Sequence, residues 1–88
     1  MAWTIELTST ATRQLAKLDK AAAQRIRTFL QQRIAPAENP RTLGQRLHGK
    51  LEEFWKYRVG DYRIITRIED DRLVVLVIQI GHRREIYR

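Results

Sequence analysis

The segment Leu73 to Ile80, LVVLVIQI, is nearly continuous in apolar and β-branched residues. A run of this kind predicts a central strand covered on both faces. Its unbroken apolar part, Leu73 to Ile78, is far too short to cross a bilayer. The other residues must therefore fold over it and supply its cover.

Trp3-Thr4-Ile5-Glu6-Leu7 alternates apolar and polar, the pattern of a half-buried strand. Thr8-Ser9-Thr10 then offers hydroxyls that can cap a helix start, and Ala11, Leu15 and Leu18 follow at helical spacing. Asp19 is placed to cap a second helix, in which Ala22, Ile26, Phe29, Leu30 and Ile34 form one face. Pro36 and the APAENP stretch end it. Residues 37–50 read as a loop with a short helical turn near Thr42 to Gln45. Phe54 to Val59 alternates again, Val59-Gly60-Asp61 signals a tight turn, and Tyr62 to Glu69 continues as a strand up to the turn at Asp70-Asp71. The predicted order is β-α-α-β-β-β, an α+β fold in which a helical hairpin packs on a small, mostly antiparallel sheet. The 88 residues suffice for one domain, 1–88.

Composition removes several function classes. The chain has no cysteine, which excludes disulfides and thiolate metal sites, and only His48 and His82 could offer imidazole ligands. No spacing suggests a metal site, and the expectation is neither metal nor cofactor. MAWTIELTST lacks the basic and long apolar regions of a secretory signal, so a cytoplasmic protein without a membrane partner is expected. The 17 Lys+Arg against 10 Asp+Glu give a net charge of +7, which favours an acidic partner. Arginine dominates over lysine, and its planar fork suits phosphate.

Strand alternation says where part of that charge points. In FWKYRV, Lys56 and Arg58 share one face, while Trp55, Tyr57 and Val59 share the other. In YRIITRIE, Arg63, Ile65 and Arg67 lie on one face. A tight turn can align the two basic faces into one cationic surface. Like charges on neighbouring strands repel, so a sequence tuned only for stability would interleave carboxylates there. An ordinary wet sheet face has the same alternation, so the pattern alone leaves both readings open. The terminal IGHRREIYR adds more cations beside a tyrosine, the pairing that single-stranded RNA recognition uses: phosphate contacts from Arg and stacking from Tyr.

The segments YRVGDYRI and GHRREIYR, within LHGKLEEFWKYRVGDYRIITRIEDDRLVVLVIQIGHRREIYR, resemble the RelE/ParE superfamily of toxin–antitoxin toxins, and specifically the RelE-like mRNA interferases. The resemblance implies two N-terminal helices on a curved sheet, a neutralising antitoxin bound in a hetero-oligomeric complex, and cleavage of mRNA in the ribosomal A site without a metal. It places the catalytic set on Lys56, Arg58, Arg63, Arg83 and Tyr87. The basic residues His82, Arg67, Arg84 and His48 are further candidate substrate-binding positions. Arg58 stands where RelE itself often has lysine. A guanidinium stays protonated, so Arg58 suits phosphate holding rather than proton transfer. The ParE-like branch shares the fold but poisons DNA gyrase, and it is the alternative.

Overall fold

The computed structural model describes residues 2–47 and 53–82. Strand β1 (Thr4–Leu7) leads into α1 (Ser9–Lys17), whose start is capped by the Thr8 side chain accepting from the Ala11 N–H at 3.1 Å. Helix α2 (Lys20–Phe29) follows after two residues, capped in the same way by Asp19, which accepts from Ala22 at 2.7 Å. Each such cap is worth about 1 kcal/mol.

Helix α2 runs on into a π-helical turn, Leu30–Ile34, closed by the Ala35 N–H donating to the Leu30 carbonyl at 2.9 Å. The sequence contains the reason. Ala22, Ile26, Leu30 and Ile34 recur every four residues, and each such step on an α-helix drifts by about 40°. A wider last turn brings Ile34 back over the core, where Ile26, Leu30 and Ile34 are all buried.

A 3-10 turn (Pro40–Leu43), the two-residue β2 (Gln45–Arg46), β3 (Trp55–Val59), β4 (Tyr62–Glu69) and β5 (Val74–His82) complete the fold. The five-stranded sheet has the order β1-β5-β4-β3-β2, antiparallel except for the parallel β1–β5 pair. The expected α+β architecture is therefore present, with one strand more than the predicted order: β2 is too short to leave a periodic signal in the 37–50 loop.

Strand β5 is an interior strand between β1 and β4 rather than the central one, and the cover is most complete on its helix-side face. Val75, Val77 and Ile80 are buried there, whereas Leu76 and Ile78 are half-buried and Gln79 is exposed. Val77 and Ile80 reach the same face because the register shifts between them: Ile65 pairs with Gln79 while Thr66 pairs with Val77. An extra residue resets the alternation, as a β-bulge does. Polar groups of the first helix satisfy the backbone freed there. The Thr8 hydroxyl donates to the Ile78 carbonyl at 2.9 Å, and Gln14 Oε1 accepts from the Ile80 N–H at 2.6 Å.

Candidate nucleic-acid interface

The β3–β4 hairpin turns at Gly60, whose φ of +59° is open to glycine at little cost. This two-residue turn fixes the register: Lys56 lies opposite Ile65, and Arg58 directly opposite Arg63. Residues on one antiparallel rung share a face, so two arginines stand side by side with Cβ atoms about 5 Å apart. Lys56 is on the same side, two residues along β3. The cationic face predicted by alternation is therefore built by the hairpin itself.

The hairpin cations border a cleft of about 450 Å³. Lys56, Arg58 and Arg63 form one side. Phe29 and Arg33, at the end of α2 and in the π turn, form the second, and the segment Thr42 to Gln45 forms the third. The cleft opens where β3 runs on beyond the short β2. Among the described residues its lining holds four cations and no carboxylate. Three described acids elsewhere on the sheet are held in ion pairs. Asp70 is gripped by both Arg41 nitrogens at 3.0 and 2.6 Å, and Glu6 and Glu69 by Arg72 at 3.3 and 2.6 Å. The Arg41 guanidinium holds the Asp70 carboxyl below the usual carboxylate range. Guanidinium and ammonium groups gathered along one cleft suit a polyanion.

Gly44 shapes the third side. A Cβ there would lie 2.8 Å from both the Lys56 carbonyl oxygen and the Tyr57 ring, so only glycine lets the loop run this close to β3. Tyr57, despite its place between Lys56 and Arg58, is a core residue at 1% exposure. Its hydroxyl donates to the Pro40 carbonyl at 2.7 Å, and Phe29 meets its ring edge-on at 5.9 Å. Burial pushes its phenol up to about 12, so it has no proton-transfer role near neutrality.

The other sequence-derived positions are distributed as follows. Arg67 is exposed, opposite Leu76, with its Nε 3.7 Å from Glu69; it does not line the cleft. His82 pairs with Tyr62 rather than with the cations, its ring 5.9 Å from the tyrosine ring. The two line a separate cleft of about 470 Å³ beside Gln14 and Lys17 of α1. Neither Arg67 nor His82 lines the cleft of the hairpin cations. Arg67 lies beyond the end of β3, and His82 alternates onto the helix side with Tyr62. Arg83, Arg84, Tyr87 and His48 lie outside the described residues.

Arg33 is the lining residue that sequence reasoning missed. It sits in a helix rich in exposed cations and looks like one more solvated charge. The available signal was the unbroken four-residue spacing of the apolar face, which calls for the π turn carrying it.

A family model described as the ParE toxin of type II toxin–antitoxin systems matches residues 5–87. Toxin RelG of Mycobacterium tuberculosis is 31% identical over 88 residues, spanning 100% of this chain and 99% of the relative. Toxin RelE of the same organism is 34% identical over 85 residues, 96% of this chain and 84% of the relative. The fold superposes on a chain of the M. tuberculosis RelBE2 toxin–antitoxin complex with a TM-score of 0.86 and 27% identity, covering 97% of this chain and 95% of that one. Family model, relatives and fold agree, and this chain is a toxin of the RelE/ParE superfamily, the toxin class of type II toxin–antitoxin systems.

Proposed function

We propose that this toxin is an endoribonuclease that cuts mRNA in the ribosomal A site and so stops translation. The observation that carries the proposal is the cleft bordered by Lys56, Arg58, Arg63 and Arg33, whose lining among the described residues holds four cations and no carboxylate. The two full-length relatives of RelE type support the same branch. In the reaction, the RNA 2′-hydroxyl attacks the adjacent phosphorus. The new O2′–P bond forms as the P–O5′ bond breaks, leaving a 2′,3′-cyclic phosphate and a free 5′-hydroxyl. The proton leaves O2′ and one is delivered to O5′.

Arg58 and Arg63, paired on one rung, hold the non-bridging oxygens and stabilise the charge that builds on them. Lys56 is the candidate proton acceptor. Arg83 is the candidate for stabilising the leaving oxygen and Tyr87 for stacking on the nucleotide. Weak intrinsic acids and bases make orientation the larger contribution, and the ribosome supplies it by holding the codon. The cofactor requirement is none. A cognate antitoxin, as in the RelBE2 complex, neutralises the toxin in a hetero-oligomer, and the substrate places it in the cytoplasm.

The family model's description as a ParE toxin favours a second reading, a DNA gyrase poison without nuclease activity. Coupled translation followed by primer extension separates the two. Codon-phased cuts that vanish in Arg63→Ala and Tyr87→Ala support the ribonuclease. Intact mRNA together with gyrase-trapped, cleaved DNA supports the poison.

A further inference from the structure

The cleft is larger than one phosphate requires. About 450 Å³ lies well inside the range of sites that take whole small molecules, about 300–1,000 Å³. The hairpin cations occupy only one side. Opposite them stands Arg33, exposed and without a hydrogen bond or ion pair among the described residues. Its position depends on the π turn, a local widening that recurs at functional sites because it re-aims side chains. Phe29, four residues earlier on the same side of the helix, provides half-buried apolar surface beside it. Gln45 lines the same cleft with its backbone fixed by pairing to Lys56, and its side chain is exposed. A carboxamide is one of the groups that read base edges, and a guanidinium plane both holds phosphate and stacks on bases.

We infer that this wall is a second nucleotide subsite. Arg33 holds the phosphate next along the strand from the one held by Lys56, Arg58 and Arg63, and the Gln45 carboxamide meets the edge of the base between them. The inference rests on the ribonuclease reading for its biological substrate, but its test uses binding alone. RNA is favoured over an acidic peptide because an aromatic surface, a carboxamide and a guanidinium occur together here, and a polycarboxylate needs only the last.

The test is calorimetric titration of the full chain with a nucleoside 3′-monophosphate and with a 2′-O-methyl RNA trinucleotide, which cannot be cleaved. In Arg33→Ala, affinity for the trinucleotide falls about tenfold, that for the monophosphate is unchanged, and the slope of log K against log salt for the trinucleotide drops by about 0.7. Gln45→Ala shifts the preference among trinucleotide sequences and leaves that slope alone. The inference is overturned if Arg33→Ala weakens both ligands equally or neither. It is also overturned if the wild-type chain binds no trinucleotide, or binds a Glu-rich peptide more tightly through Arg33. A wild-type chain that binds as described but leaves ribosomal mRNA intact contradicts the proposed function and not the subsite.

Discussion

Tyr57 shows how a residue between Lys56 and Arg58 can serve the fold alone. Its hydroxyl anchors the 3-10 turn through the Pro40 carbonyl, and its ring is the surface against which Gly44 is pressed. Burial raises the phenol from 10.0 to about 12 in the folded state. A raised folded-state pKa means that the native protein holds the proton more tightly than the unfolded chain. That stabilisation is complete below pH 10 and is lost as pH rises through about 12. Tyr57→Phe should cost about 1 kcal/mol at neutral pH for the lost hydrogen bond. It should also flatten the fall in stability between pH 10 and 12, as followed by urea denaturation at each pH. Gly44→Ala meets backbone and a buried ring, neither of which can move far. It should cost about 1–3 kcal/mol, seen as a lower urea midpoint at constant slope. The alternating FWKYRV placed Tyr57 on the core side and Lys56 and Arg58 on the other. Nothing local in RTLGQ says that its glycine abuts a strand more than ten residues later.

At the level of elements, the β3–β4 hairpin sets stability against function. Arg58 opposite Arg63 is a like-charge pair on one rung, which a sequence selected only for stability would avoid. Arg58→Glu turns the repulsion into attraction. It should raise stability by about 0.2–1 kcal/mol while abolishing RNA cleavage, with thermal unfolding and cleavage measured on the same preparation. A protein that loses both stability and activity would show that the pair is not held at this register. The hairpin was legible because period-two alternation and a Gly-Asp turn are local signals. The π turn, the bulge at Ile78 and the two-residue β2 were not. Each is a correction to regular geometry that depends on what packs opposite. The placement of Arg33 across the cleft from Lys56 arises from the same long-range packing, so half of the cleft was visible in the sequence and half was not.

For the molecule as a whole, the +7 charge is distributed with a purpose. Glu6, Glu69 and Asp70 are tied up by Arg41, Arg67 and Arg72, and no carboxylate is among the described residues that line the cleft. Association with RNA should therefore weaken steeply with salt, and each lost phosphate contact should remove about 0.7 from the slope for a single strand. His82 and Tyr62 line the other cleft, on the helix side, so removing the imidazole should leave that slope unchanged. The most direct test uses ribosomes programmed with an end-labelled mRNA that carries either ribose or 2′-deoxyribose at the scissile A-site nucleotide. The ribose message should be cut to a 2′,3′-cyclic phosphate by the wild-type toxin and left intact by Arg58→Ala/Arg63→Ala. The deoxyribose message should survive both proteins. Cleavage of the deoxyribose message, or an untouched ribose message with the folded wild-type toxin, would contradict the assignment of this cleft to RNA 2′-hydroxyl chemistry.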